Sequence, residues 1–540
     1  MNFSVSIILN YFEVITNTII QGLGIYRLGV TASFWIPVFS IVLLFTFLNF
    51  VFLSSRYLNS SSSNVDSSFL GSNLSIHIFY LRILLVFLAL INLLLSLVTH
   101  SLVVSYSFYG LFFFKDLCSL HFFGPAQNFT FVLDEFVSFF ILLNSFVIFC
   151  CLIFVSLNKT YVELTSTVYR AQLLLLTQFF ANFAFAATDL LGFYVFYEAI
   201  LIPVFFLIGI WGSSQRRIKA AYFFFFFTLV SSMPMLVGIM QIRELLGSTS
   251  YSTVFNYAFT LDHQTQRLVW FFFFISFAFK IPMFPAHIWL PEAHVEAPTE
   301  GSMILAGLLL KLGFFGFFKF LLQLFPEIRN EYFDSVIILA LLGVLTASFT
   351  ALRQVDLKRI IAYSSIVHMN FALLGFCTLT QTGILGAFTT MFGHAVVSTV
   401  LFSLIGTLYV RTGTRLLNYY SGLSMIMPYY SLFLIFFSFF NAALPGSLSF
   451  IGELYTFLSL TETSLILLFS TLIAFVLNIV YMLWFVSRLC FGDLNTNYIK
   501  IFRDLTDREI DYYLAALLLS LGLGFMPNIL IASFTNHIFY

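Results

Sequence analysis

The sequence predicts an all-α polytopic membrane protein: about fourteen transmembrane helices, with two inverted five-helix repeats that each hold one broken helix. Three observations lead there. The 540 residues are 60% hydrophobic and only 9% charged, with a mean hydropathy of +0.99, and a soluble domain cannot hide that much apolar surface. Apolar runs long enough to span a bilayer recur along the whole chain. Two of these runs are broken by proline, at Pro282 and Pro285 and again at Leu444-Pro445-Gly446. Interrupted helices at membrane depth are tolerated only where they line a protein interior or a wet cavity.

Taken in order, the runs fall at 35–54, 78–106, 131–156, 168–188, 190–211, 218–241, 267–284, 302–325, 334–352, 358–379, 383–409, 429–459, 464–490 and 512–533. The first thirty residues are a candidate for a further apolar element. Asn59 to Asn64 (NSSSSN) marks a polar loop and 491–511 a charged one. Loops after odd-numbered helices hold about fifteen Lys and Arg against about five after even-numbered ones, which puts the richer side in the matrix or cytoplasm and both termini on the opposite face. The breaks lie in the seventh and twelfth runs, and this odd offset inverts the second relative to the first. Paired breaks of this kind point to inverted repeats around an ion site. The resulting division is N-terminal transmembrane helices over 1–167, a first repeat (helices 4–8) over 168–325, a second (helices 9–13) over 326–490, and a charged loop with a C-terminal helix over 491–540.

Several functions are disfavoured by the same reading. Lys plus Arg and Asp plus Glu each total 24, so formal charge is zero and gives nucleic acid nothing to bind. The five cysteines, Cys118, Cys150, Cys151, Cys377 and Cys490, show no CxxC spacing, which argues against iron–sulfur and structural zinc sites. No glycine fingerprint for a nucleotide follows a strand. Arg27 is the only base in the first thirty residues and Glu13 is present, so the N-terminus does not read as a transit peptide. The 75 phenylalanines fit T-rich codons and hence an organelle-encoded chain.

The chemistry lies in ionisable residues placed where lipid would penalise them. Lys280 ends an apolar segment just before the first break, and Lys311 lies inside the next helix. A lysine in hydrocarbon costs about 2.5–3.5 kcal/mol, so two of them flanking a break call for a functional reason. Glu198 stands in the apolar run LLGFYVFYEAILIPVFFLIGIWG. Burial penalises the charged forms of acids and amines alike, so such groups can exchange protons near neutrality. His368 and His394 are single histidines in consecutive apolar helices, and Glu453 follows the second break. Histidine titrates nearest neutrality. Together Glu198, Lys280, Lys311, His368, His394 and Glu453 read as a proton relay at membrane depth. His287, Glu292, His294 and Glu296 match no zinc signature and read as the polar neck of the broken helix. Asp356, Lys358 and Arg359 read as a loop charge cluster, and Asp134 and Glu135 as acids favoured at a helix N-terminus.

These strings resemble the antiporter-like membrane subunits of respiratory complex I. They are YEAILIPVFFLIGIWG, KIPMFPAHIWLPEAHVEAPTEGSMILAGLLLKLGFFGFFKF, QVDLKRIIAYSSIVHMNFALLGF, GHAVVSTVLFSLIGTLY and LPGSLSFIGELY, and they cover about residues 185–460. The resemblance implies that Glu198 is the glutamate paired with the pump lysine, Lys280. It makes Lys311 the central lysine between half-channels, His368 and His394 linkers, and Glu453 the terminal carboxylate facing the next subunit. Sister subunits usually carry lysine at that last position, so glutamate favours the subunit-4 branch. Glu300 stands where the family usually has a small residue, Phe314-Phe315 where it has Gly-Tyr, and Lys319 where it has Arg.

The resemblance further implies a proton-translocating subunit of the mitochondrial inner membrane, driven by electron transfer elsewhere. No cofactor or metal is expected in this chain, with NADH, FMN, iron–sulfur clusters and ubiquinone in other subunits. Neighbouring antiporter-like subunits and phospholipids such as cardiolipin are the implied partners. A sodium/proton antiporter subunit of the related multisubunit type is the alternative. An inert membrane scaffold would leave Lys280 and Lys311 unexplained.

Overall fold

The computed structural model describes residues 83–97, 99–100, 120–122, 129–157, 164–494, 503–528 and 531. The run at 35–54, the element before it, the loop at 59–64, the ends of 78–106 and part of 491–511 lie outside these residues.

The described chain is helical except for one short antiparallel pair, β1 (Leu120–Phe122) with β2 (Phe129–Phe131), in register Leu120↔Phe131. This small departure from an all-α reading uses Phe and Thr, which suit extended backbone. The helices are α1 (Ile83–Leu97), α2 (Glu135–Leu157), α3 (Leu164–Ala186), α4 (Leu190–Trp211) and α5 (Arg217–Leu246). The short α6 (Tyr251–Tyr257) leads to α7 (His263–Lys280), α8 (Trp289–Glu296), α9 (Thr299–Leu322) and α10 (Pro326–Leu352). There follow α11 (Leu357–Cys377), α12 (Gln381–Thr412), α13 (Pro428–Asn441), α14 (Leu448–Thr463), α15 (Leu465–Cys490) and α16 (Asp507–Phe525). Among the described residues, eight of these, α2, α4, α5, α9, α10, α11, α12 and α15, are long and apolar enough to cross a membrane.

Burial sorts them. The most apolar windows of α9, α11 and α12 are 94%, 94% and 100% buried, whereas that of α15 is 28% buried. The helices carrying Lys311, His368 and His394 are therefore the interior of the bundle, and α15 faces outward with its Leu and Ile side chains. In α4 the helical ladder slips at Ile200. Pro203 has no N–H to offer the Ala199 carbonyl, so the slip falls beside Glu198.

Both sequence breaks are breaks in the structure. α7 stops at Lys280 and α8 begins at Trp289, while α13 stops at Asn441 and α14 begins at Leu448. The freed carbonyls are taken up by distant side chains. Trp289 Nε1 donates to Phe279 O at 2.9 Å and Asn370 Nδ2 to Pro282 O at 3.1 Å. At the second break Ser449 Oγ donates to Phe440 O at 2.5 Å and Asn478 Nδ2 to Asn441 O at 3.4 Å. A buried carbonyl without a partner is costly, so these contacts make each break a fixed feature.

Candidate functional site

α9 is distorted at its centre. Leu305–Leu309 and Phe317–Leu322 wind as π-helix on either side of an α-helical turn, Leu310–Gly316, that carries Lys311. π-turns widen a helix and are frequent at functional sites. One carbonyl of the first π-turn, Ala306 O, accepts from Lys311 Nζ at 2.7 Å. Lys311 Nζ also lies 2.9 Å from His394 Nδ1 on α12. The Lys311 side chain has no exposed surface.

From His394 the line continues. Its ring centroid is 5.5 Å from that of His368 on α11. His368 Nδ1 then meets Glu453 Oε1 on α14 at 3.0 Å, with both side chains buried. Four of the six residues singled out in the sequence thus form one buried series, Lys311–His394–His368–Glu453, contributed by four helices. His394 Nε2, His368 Nε2 and Glu453 Oε2 have no protein hydrogen-bond partner. Each is free to exchange a hydrogen bond with water or with the neighbouring ring.

Lys280 and Glu198 are arranged differently. Lys280 is buried and donates to the Tyr197 carbonyl at 3.2 Å, with its ammonium 3.0 Å above the centre of the Tyr197 ring. Such a cation–π contact partly replaces water around the charge. Glu198, one residue on, is half-buried beside Tyr194 and Ser232. Glu198 and Lys280 feel each other's charge but do not meet as an ion pair within 4.0 Å. The end of α7 nevertheless closes on α9. A Cβ at Gly313, two residues beyond Lys311, would lie only 3.2 Å from Lys280 Cβ. No direct hydrogen bond joins Lys280 to Lys311.

The reading of 356–359 as a loop charge cluster is corrected for one member. Arg359 does stay outward, pairing with Glu292 at 2.8 Å, but Lys358 is only 2% exposed. Lys358 Nζ donates to Ala297 O at 2.7 Å and to Ser302 Oγ at 3.3 Å. Asp356 sits between, 3.5 Å from Arg415, and burial pushes its carboxyl above the usual range while Arg415 opposes the shift. Within the polar neck, Glu292 is exposed, Glu296 is buried near Arg415 at 3.6 Å, and His294 is fully buried. Glu300 pairs with Arg170 of α3 at 3.0 Å, with both side chains largely shielded. Sequence reasoning passed over Arg170, though a lone base in the apolar run of α3 and a lone acid at 300 were the available signal. Among the described residues no three His, Cys, Asp or Glu are grouped to hold a metal.

The family model for the transmembrane region of NADH:quinone oxidoreductases and Mrp antiporters matches residues 187–478. The chain belongs to this family. The NADH-ubiquinone oxidoreductase chain 4 of Chondrus crispus is 40% identical over 412 residues, 76% of this chain and 82% of that protein. The corresponding chain 4 of Arabidopsis thaliana is 39% identical over 408 residues, covering 75% and 81%. A chain of respiratory complex I from Thermus thermophilus superimposes with a TM-score of 0.76 at 26% identity, over 95% of this chain and all of that one.

Proposed function

We propose that this chain is a proton-translocating membrane-arm subunit of respiratory complex I, in its subunit-4 branch. Glu198, Lys280, Lys311, His368, His394 and Glu453 are the relay. The observation that carries the reading is the buried series from Lys311 through His394 and His368 to Glu453, with contacts of 2.9 and 3.0 Å and a ring separation of 5.5 Å. A proton arriving at Lys311 has His394 Nδ1 within hydrogen-bond reach, and one arriving at His368 has Glu453. Glu198 and Lys280 serve as the coupled input pair, in electrostatic range of each other, with water spanning the interval to Lys311.

The two proton half-paths are assigned to two inverted five-helix repeats, 168–325 and 326–490, within a fourteen-helix chain flanked by 1–167 and 491–540. Support comes from the breaks after Lys280 and Asn441, each secured by an asparagine from another helix, Asn370 and Asn478. The redox chemistry belongs to other subunits, which hold NADH, FMN, iron–sulfur clusters and ubiquinone. The chain is placed in the mitochondrial inner membrane, organelle-encoded, with both termini on the intermembrane-space side. Its Glu453 end faces a neighbouring antiporter-like subunit, and phospholipids such as cardiolipin cover its outer faces.

Lys311→Met in the complete complex tests the relay. Methionine keeps the length and the apolar stem while removing the amine. The expected result is an assembled complex with a lower proton yield per NADH oxidised, and a wild-type yield would falsify the assignment. Mass spectrometry of the purified assembly provides the second check, since flavin and iron–sulfur subunits must co-purify.

A further inference from the structure

Two buried groups on the basic side of the bundle are left over by this relay. His294, at the end of α8, is fully buried and stacks on Phe402 of α12, with ring centroids 4.8 Å apart and planes 4° from parallel. Neither of its ring nitrogens has a protein hydrogen-bond partner. Buried polar atoms are rarely left unpaired without a reason. A histidine kept only for its ring stack would not need those nitrogens.

Lys358 is the other. Its ammonium has only the Ala297 carbonyl and the Ser302 hydroxyl, and no carboxylate lies within 4.0 Å. The same Ser302 hydroxyl lies 3.4 Å from the His294 carbonyl, so one side chain spans from Lys358 to the His294 backbone. Electrostatic contact runs on in both directions. Lys358 feels Glu296, His294 feels Lys358, and His394 feels His294. At the outer end, Glu296 lines a cavity of about 510 Å³ together with Glu292, Arg216, Lys219 and Arg359. At the inner end, His394 Nε2 is unpartnered while its Nδ1 meets Lys311.

We propose that Glu296, Lys358 and His294 form a loading branch that brings protons from the cavity on the basic side to His394, and through it to Lys311. This rests on the relay reading above. The Lys358 ammonium gives up a proton towards one nitrogen of His294, and the amine is recharged with a proton that the Glu296 carboxylate takes from cavity water. The other nitrogen of His294 releases a proton towards His394 Nε2. His394 then hands its Nδ1 proton to Lys311 in its neutral form; the His294 and His394 rings are left in the opposite tautomer and are reset by ring rotation or by proton exchange through bridging water before the next transfer. Ordered water bridges the intervals that no direct hydrogen bond spans. The branch enters the relay at its centre, independently of Glu198 and Lys280.

The test uses the complete complex in sealed vesicles, measuring proton yield per NADH oxidised for His294→Phe, Lys358→Arg and Lys311→Met. His294→Phe keeps the stack on Phe402 and removes both nitrogens. Lys358→Arg keeps the positive charge but holds its proton at any accessible pH. Both are expected to lower the yield to the Lys311→Met level at normal assembly. Either variant at wild-type yield, with Lys311→Met reduced, overturns the branch and leaves the relay standing. Lys311→Met at wild-type yield overturns the relay and the branch with it. Should Lys358→Arg fail to assemble, His294→Phe alone decides the matter, because a packing role predicts no change for it.

Discussion

Gly452 offers a way to perturb the relay without touching a titratable group. It stands one residue before Glu453, where α14 crosses α12. A Cβ at Gly452 would come 2.5 Å from the backbone nitrogen of Thr390 and 2.5 Å from its Cγ2. Ordinary contact begins at 3.4 Å, so Gly452→Ala must drive the helices apart by about 0.9 Å. Backbone cannot rotate out of the way, and the same seam is tight at Gly393, where a Cβ would lie 2.9 Å from Ser449 N. Close approach through small residues is the usual means of packing helices in lipid. Overpacking of this kind costs about 1–3 kcal/mol. Transmitted along α14, the displacement would stretch the 3.0 Å contact between His368 and Glu453 beyond hydrogen-bond range. The expected phenotype of Gly452→Ala is an assembled, less stable complex whose proton yield per NADH falls while NADH oxidation persists. Gly522→Ala on α16 is the control, because nothing lies within 4 Å of its added methyl. It should be neutral or gain up to about 1 kcal/mol of helix propensity. Wild-type proton yield in a stable Gly452→Ala complex would refute the claim that this seam sets the relay geometry.

Three further outcomes are expected. Glu453→Gln keeps a hydrogen bond to His368 but cannot carry a proton, so pumping should fall in part, as measured by proton yield per NADH; full pumping reduces Glu453 to a structural partner of His368. Arg170→Leu should destabilise the complex by about 3–5 kcal/mol because it strands the Glu300 charge, whereas Arg170→Leu with Glu300→Leu should recover most of that loss. Thermal unfolding of the purified assemblies decides it, and equal losses in the single and double variants would sink the argument. Asn370→Ala frees the Pro282 carbonyl at the first break, at a cost of about 1–3 kcal/mol, and should loosen the position of Lys280. Lower thermal stability without change in the Gly522→Ala control is the measurement that supports it.

The helices were legible because each must supply its own apolar stretch, and bilayer thickness fixes how long that stretch is. The breaks were legible for the same reason, as proline is conspicuous inside such runs. Other features were not visible. The π-turns flanking Lys311 leave no mark in LAGLL or FFKFLL. Which charges are buried is the harder matter. Lys358 and Arg359 are adjacent bases at the start of α11, yet one points inward to Ala297 and Ser302 and the other outward to Glu292. A helix turns by about 100° per residue, so neighbours in sequence face different surroundings. Charge clustering in sequence therefore says little about where any single charge goes.

The candidate site shows a related asymmetry. Lys311, His394, His368 and Glu453 reached the same place because each was an isolated polar residue in an apolar helix, with no inexpensive alternative to joining the others. Glu198 met that criterion too, but α4 is bent beside it and leaves it half-buried, and Lys280 found the Tyr197 carbonyl and ring instead. A lysine held by the Tyr197 carbonyl and ring does not depend on a carboxylate for its position. It can therefore respond to changes in Glu198 through the field rather than through a bond. A direct ion pair would hold both groups charged and make proton release slow, whereas separation within electrostatic range lets one group's protonation bias the other's. For the proposed relay, a separation of more than 4.0 Å between Glu198 and Lys280 is thus more serviceable than the close pair that isolated burial costs alone would favour.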